Sequence, residues 1–331
     1  LCRYYPKKTI FNPISWLIRR LKNYHHQSLN PLFLLTAFLY PIIFIPMPWS
    51  NYHQHCYFCD GTDEPSLYVE SALEKGVRSF GFSSHAPMAL EVPWSIKPHR
   101  FTEYLQTIAD IRNRYRGQLP VFIGLEIDYI PGVTSPARPE FAQLDYNIGS
   151  VHYGYRHPNE GWYWEIDGTQ QAYDRGILEI YGGDIKKAVT SYFTLQQEMI
   201  QVAPPQVLGH MDKVKMNNNN RHFSEDEPWY RQLVYDTLEV AAAAGILIEI
   251  NTRGVYKKKT QYPYPSPFVL QRIKELNIPI VLNSDAHHPR EITGYFTEAA
   301  DMLQQIGFTE LNILTPDGWQ PRPFTKEGIA F

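Results

Sequence analysis

Histidines and carboxylates recur along this chain inside short motifs. His53-Gln54-His55 is followed by Asp60. Further on come Ser84-His85-Ala86-Pro87, Gly124-Leu125-Glu126, Gly149-Ser150-Val151-His152, Leu208-Gly209-His210 and Ser284-Asp285-Ala286-His287. Imidazole nitrogens and carboxylate oxygens together are the donor set that divalent zinc, manganese and iron accept. In an extended segment, alternating side chains put His53 and His55 on the same side, which suits two ligands of one ion. Taken singly, each motif has a simpler explanation. His-x-His arises by chance in a chain with 12 histidines. His210 alone reads as a hydrogen-bonded core histidine, Glu126 as the partner of a buried arginine, and Asp285 as the cap of a turn.

The elements that carry these motifs decide between the readings. Residues 51–53, 79–83, 121–128, 146–152, 206–210, 246–251 and 279–285 form seven short apolar runs, mostly β-branched or aromatic and of strand length. Helical stretches with readable ends separate them. Pro65 suits the first turn of a helix that stops at Gly76. Asp184 caps a helix whose residues Ile185, Ala188, Val189, Tyr192, Leu195 and Met199 share one face. Ser266-Pro267 starts another helix, ending near Asn277, and Gly245 and Gly307 mark further stops. Repeated β–α units imply a parallel sheet covered on both sides, and seven of them closing on themselves give a barrel related to the eight-fold form. An open doubly wound sheet is the alternative, but no glycine-rich phosphate loop accompanies it. Every strand except the sixth ends in a metal-type ligand. The sixth ends Glu249-Ile250-Asn251-Thr252-Arg253 and offers polar groups instead. In a parallel barrel these ends converge on one face. Burying six histidines and three carboxylates there without a cation would be prohibitively unfavourable. Metal ions remove that cost, and the set is expected to bind them.

The 331 residues suffice for one large barrel, and 44% hydrophobic with 20% charged residues reads as a folded globular chain. A formal net charge of −3 gives no global pull towards nucleic acid or an anionic membrane, so an anionic substrate must be attracted locally. Three cysteines are too few for a disulfide framework, and Cys56-x-x-Cys59 is read as a pair of incidental thiols in a reducing cytoplasm. Residues 1–46 stand apart. A basic stretch (Lys7, Lys8, Arg19, Arg20, Lys22) precedes an apolar run over 32–46, which is shorter than the ~20 residues a membrane span needs and contains Pro41 and Pro46. Residues 1–46 are read as upstream translation before a start at Met47, with a membrane anchor as the alternative, and 47–331 as the catalytic domain.

Taken in order, these motifs resemble the polymerase-and-histidinol-phosphatase (PHP) superfamily, and within it the histidinol-phosphatases. The carriers are His53-x-His55 with Phe58-Cys59-Asp60-Gly61, Gly81-Phe82-Ser83-Ser84-His85-Ala86-Pro87, Gly124-Leu125-Glu126, Gly149-Ser150-Val151-His152, Gly209-His210-Met211-Asp212, Glu249-Ile250-Asn251-Thr252 and Ser284-Asp285-Ala286-His287. Tyr181-Gly182-Gly183-Asp184 and Pro263-Tyr264-Pro265-Ser266 belong with them. The resemblance covers residues 47 to about 307. It implies an α/β fold, a distorted seven-stranded (β/α)7 TIM-like barrel, with three divalent metal ions (Zn, Mn or Fe). It implies one ion on His53, His55, Glu126 and Asp285, a second on Glu126, His152 and His210, and a third on Asp60, His85 and His287. Ser84 stands where many members have aspartate, which touches the support of His85. Tyr256 stands near the place of a phosphate-gripping arginine, so Asn251, Arg253, Lys257 and Lys213 are the candidate substrate-binding residues.

The chemistry that fits is hydrolysis of a small phosphate monoester. Paired cations offset the charge of the ester and acidify water. Asp285 or His287 is expected to protonate the departing alkoxide. The substrate that the resemblance implies is L-histidinol phosphate, in histidine biosynthesis. Trp162, Tyr163, Trp164, Glu165 and Asp167 are candidates to receive its cationic half, or else form a packed surface loop. The rivals are a protein-phosphotyrosine or nucleotide phosphoesterase of the same superfamily, a barrel amidohydrolase, and a barrel that keeps its metals structurally. The amidohydrolases place lysine or further histidines where this chain has Glu126. A complete ligand set speaks against the structural barrel.

Overall fold

The computed structural model describes residues 48–331. The segment 1–46 and the start expected at Met47 lie outside the described residues. In chain order the strands are β1 (Trp49–Asn51), β2 (Val77–Phe82), β3 (Val121–Asp128), β4 (Tyr146–Ser150), β5 (Tyr153–Arg156), β6 (Tyr163–Glu165), β7 (Val207–Leu208), β8 (Leu247–Asn251), β9 (Ile280–Asn283), β10 (Glu310–Thr315), β11 (Gly318–Thr325) and β12 (Gly328–Ile329). Seven of them form one sheet in the order β1-β2-β3-β4-β7-β8-β9, every neighbouring pair parallel. The sheet curls until its first and last strands meet. Beyond β1 the chain stays extended, and His55 N donates to Ala286 O (2.8 Å) while Ala286 N donates to His53 O (3.1 Å). The fold is the near-closed seven-stranded parallel barrel of the α/β class that the alternation predicts.

Helix ends follow local chemistry. Pro65 opens helix Pro65–Glu74, and Gly76 behind it has φ 73°. The Asp184 carboxylate accepts from Lys187 N at 3.1 Å and caps Ile185–Val202. That helix buries Ala188, Val189, Tyr192, Leu195 and Met199 against the sheet, as its periodicity requires. Pro228–Ala244 stops at Gly245 and Phe296–Ile306 at Gly307, both glycines in the left-handed region.

Inside the barrel, the end where the strands begin is plugged. The Tyr146 side chain lies across it, with its hydroxyl 2.5 Å from Tyr52 O and 2.9 Å from Phe82 O. A Cβ at Gly124 would fall 2.4 Å from the Tyr146 ring, so only glycine makes room for it. Tyr52, Phe122, Ile148, Val207, Leu247, Val281 and Leu314 complete this plug. An antiparallel sheet β10-β11-β12 packs over it, and Leu314 N donates to Tyr52 Oη at 2.8 Å. With that end sealed, side chains gather at the other, where the strands end.

Several boundaries depart from the sequence reading. The strands expected over 51–53, 146–152, 206–210 and 279–285 end earlier, at Asn51, Ser150, Leu208 and Asn283. In each case the chain leaves the ladder so that the following histidine or aspartate turns to the barrel axis. The hairpin β5–β6 and the sheet β10-β11-β12 were not anticipated.

Candidate metal centre

Strand β3 delivers Glu126 to the barrel axis, while its neighbours Leu125 and Ile127 point outward into the helix-side core. Glu126 is only 1% exposed. Its Oε2 lies 3.2 Å from His53 Nε2, 3.4 Å from His55 Nε2 and 3.1 Å from His85 Nδ1. Its Oε1 lies 2.8 Å from His210 Nε2, 3.4 Å from His152 Nε2 and 2.7 Å from Ser150 Oγ. One carboxylate therefore stands between two groups of imidazoles. Asp285 Oδ1 reaches His55 Nε2 at 3.3 Å and His53 Nε2 at 3.8 Å. Asp60 reaches His287 Nε2 at 3.1 Å and His85 Nε2 at 3.8 Å, and the His287 ring stacks on His55 at 4.1 Å.

All nine expected ligand positions thus meet in one place. They fall into overlapping sets whose donor atoms lie within 4.8 Å of one another: His55, Asp60, His85 and His287; His53, His55 and Asp285; Glu126, His152 and His210; and His85, Asp128 and His152. The chemistry of these sets fits divalent cations. His53 Nε2, His55 Nε2 and His85 Nδ1 are buried without a hydrogen-bond partner, though each is aimed at the common centre. Three imidazole nitrogens left so around one point call for a cation to satisfy them. The charges agree. Although burial opposes ionisation of Glu126, His53 and its neighbours hold its carboxyl well below the usual range, and Asp285 is likewise held low against burial by His53 and Arg253. Burial pushes His55, His85 and His210 down, towards the neutral imidazole that a metal ion takes as ligand. The clusters form one or more metal-binding sites.

A second tier orients this centre, and the sequence reading gave an orienting role to neither of its two carboxylates, Glu249 and Asp128. Glu249 on β8 is fully buried. Its Oε1 accepts from His53 Nδ1 at 2.6 Å and from Asn283 Nδ2 at 2.9 Å. Its Oε2 accepts from His210 N at 3.0 Å and Asn251 Nδ2 at 3.0 Å. Asp128, at the end of β3, accepts from His152 Nδ1 at 2.8 Å; against burial, the Asp128, Asp167 and Glu126 carboxylates push the pKa of His152 up to about 9. A lone carboxylate in the apolar run Leu247-Ile248-Glu249-Ile250 was the available signal for the first. Ser84, the departure from the family pattern, turns its hydroxyl to Cys56 Sγ at 3.4 Å and makes no bond to His85. Asp285 has φ 52°, a conformation unfavourable for a residue with a Cβ. Arg253 Nη1 and Tyr256 Oη hold it there by donating to Asp285 O at 2.8 and 3.2 Å. Tyr256 thus braces the loop of Asp285.

A cavity of about 690 Å³ opens over the centre, lined by Asp60, His85, Glu126, Asp285 and His287 and by the candidate phosphate-gripping residues Lys213, Arg253 and Lys257. Lys213 is paired with Asp167 at 2.9 Å and Lys257 with Glu291. Asn251 is turned inward, to Glu249 and to Asp285 Oδ2 at 3.2 Å, and does not line the cavity. The aromatic loop divides. Trp164 is fully buried against Gly176, Tyr173 and Tyr181, and Trp162 stacks on His157 and Arg175 at the surface. Neither faces the centre, whereas Glu165 and Asp167 do line its approaches. An aromatic ring that does meet the centre is Trp94, 4.7 Å from His85 edge to face, and nothing in the sequence reading singled it out. Cys56 and Cys59 are free thiols, the second 3.5 Å from His55 Nδ1. No described helix is long and apolar enough to cross a membrane.

Comparison with known proteins agrees with this geometry. The model of the PHP domain matches residues 51–253. A protein of Deinococcus radiodurans named "Probable histidinol-phosphatase" is 29% identical over 260 residues, 77% of this chain and 92% of the relative. The histidinol-phosphatase of Bacillus subtilis is 28% identical over 264 residues, 75% of this chain and 96% of the relative. The crystal structure of histidinol phosphate phosphatase from Lactococcus lactis, complexed with zinc, L-histidinol and phosphate, superposes with a TM-score of 0.59 at 20% identity, covering 86% of this chain and all of that one, a likeness of fold.

Proposed function

The chain belongs to the PHP-domain family of metal-dependent hydrolases, and on that premise we propose that it hydrolyses a small phosphate monoester, L-histidinol phosphate, to the free amino alcohol and phosphate. The observation that carries this reading is the Glu126 carboxylate, one oxygen facing His53, His55 and His85 and the other facing His152 and His210, beneath a cavity rimmed by basic residues. His53, His55, Glu126 and Asp285 would hold one divalent ion, Glu126, His152 and His210 a second, and Asp60, His85 and His287 a third. Ions there supply positive charge against the phosphate oxygens and acidify a neighbouring water.

The remaining work falls to side chains of this chain. Lys213 and Arg253 bind and orient the phosphate from the cavity wall, with Lys257 at the rim. Glu249 keeps the Nδ1 proton of His53 in place and Asp128 that of His152, so that each Nε2 presents its lone pair to the centre. Asp285 and His287, which both line the cavity, are the candidates to take the proton that the attacking water loses and pass it to the departing alkoxide. The names of the D. radiodurans and B. subtilis relatives support the choice of substrate.

The test is kcat/KM of the metal-loaded protein for L-histidinol phosphate against a phosphotyrosine peptide, a nucleoside monophosphate and a sugar phosphate. Preference for the first by about three orders of magnitude or more is expected, since buried polar groups left unpaired penalise the wrong ester. A better rate on the peptide or the nucleotide would overturn the substrate while leaving a phosphatase.

A further inference from the structure

A second cavity, of about 520 Å³, opens off the same centre on its other side. The two share Asp60, His85, Asp167 and Gly168, so they are lobes meeting at the histidine cluster. Outside the residues they share and the ligands of the metal centre, their charged residues are opposite in sign. Lys213, Arg253, Lys257, Lys258 and Lys259 line the larger lobe. Glu91, Trp94, Tyr153 and Glu165 wall the smaller, and no lysine or arginine among the described residues lines it. Its floor includes His85, 7% exposed, whose Nδ1 has no hydrogen-bond partner.

The wall is built, not incidental. The loops after β2 and β3 and the β5–β6 hairpin pack a small apolar cluster of their own, Met88, Val92, Ile130 and Tyr153, with Trp94 and Tyr163 against it. Within it Trp94 stacks on Tyr153 (6.0 Å, 25°), and Tyr163 meets Tyr153 edge-on at 5.8 Å. Lys97 Nζ fastens the loop by donating to Val92 O at 2.7 Å. Asp167 is already committed to Lys213, and Asp60 to His287 and His85 in the metal centre, which leaves Glu91 and Glu165 as the uncommitted carboxylates facing this space.

We infer that the smaller lobe is the leaving-group subsite and selects phosphate esters whose alcohol carries a positive charge. This rests on the phosphatase reading above. A dianionic phosphate belongs with the basic lobe and the centre, so the alcohol extends across the cluster into the lobe of opposite sign. Aromatic surface flanked by carboxylates favours an ammonium or imidazolium group and disfavours a neutral or anionic one. Glu91, Trp94, Tyr153 and Glu165 are thus specificity-determining residues.

The experiment compares the metal-loaded full chain with its Glu91→Gln/Glu165→Gln and Trp94→Leu variants. The substrates are L-histidinol phosphate, O-phosphoethanolamine and the uncharged-alcohol esters ethyl phosphate and 4-nitrophenyl phosphate. The readout is the ratio of kcat/KM for cationic over neutral esters. The double variant is expected to lower that ratio by roughly 10- to 100-fold, through KM of the cationic esters. Glu91→Lys/Glu165→Lys, which reverses the charge at two exposed positions, should turn preference towards phosphoglycerate. A ratio unmoved in both double variants overturns the subsite, even when L-histidinol phosphate is the best substrate. A poor rate on L-histidinol phosphate, with O-phosphoethanolamine still outrunning ethyl phosphate in a Glu91- and Glu165-dependent way, overturns the substrate and leaves the subsite standing.

Discussion

Replacing Glu249 by glutamine tests the two-tier construction of the centre. The substitution keeps shape and removes one acceptor oxygen from a side chain that is 0% exposed. Four donors converge on the native carboxylate: His53 Nδ1 and Asn283 Nδ2 on Oε1, and His210 N and Asn251 Nδ2 on Oε2. In one amide orientation the new NH2 faces the first two, in the other the second two. Either way two buried donors lose their acceptor, at about 1–3 kcal/mol each, or roughly 2–6 kcal/mol against the folded state. In the first orientation His53 relieves part of this by moving its proton to Nε2, which turns a proton instead of a lone pair towards Glu126; in the second His210 loses the backbone bond that holds it. Metal affinity should therefore fall by about 10- to 100-fold even where the fold survives. Urea unfolding of the metal-free protein reads the first effect, and competition with a chromophoric chelator reads the second. A Glu249→Gln protein that binds metal as tightly as the parent and turns over phosphate esters within about twofold of it would refute the orienting role.

Other outcomes follow from the same geometry. Glu126→Gln should lose more than one equivalent of metal and nearly all turnover, because both its oxygens face imidazoles, whereas Asp60→Asn should lose only the ion nearest His287; elemental analysis separates them. Prolonged chelation should abolish activity, and re-addition of zinc, manganese or iron restore it; turnover unaffected by chelation would remove the metal reading. Gly124→Ala, whose Cβ would sit 2.4 Å from the Tyr146 ring, should lower the urea midpoint by the equivalent of about 1–3 kcal/mol or more. Burial pushes the Cys56 thiol up to about 11, so only about a thousandth of it is thiolate at pH 8. Iodoacetamide should leave the Cys56 peptide unmodified until the protein is unfolded, and rapid native labelling by mass spectrometry would contradict this.

What the sequence determined by itself is the chemistry. Residue type is local, and so is position within a β–α unit. His53, His55, His85, Glu126, His152, His210, Asp285 and His287 were therefore legible as donors at strand ends, and parallel closure brings such ends to one face whatever the details. Helix ends at Pro65, Asp184, Gly245 and Gly307 were legible for the same reason, each set by its own cap or turn. Short or irregular strands carried too little pattern. Tyr163–Glu165 spans three residues, and Gly318–Thr325 contains Pro321 and Pro323, which a strand reading disfavours.

Tertiary structure alone decided which donors share a centre and which merely orient it. Glu249 meets His53 across 196 residues of chain, and Glu126 meets His210 across 84. No periodicity reports on such pairs. Trp164 entered the helix-side core because Gly176 leaves space for its indole, and Trp94 took the place beside His85 because its loop packs on the β5–β6 hairpin. Distances between side chains on different strands are fixed by how the barrel closes. Closure depends on the packing of the whole chain at once, and no single segment encodes it.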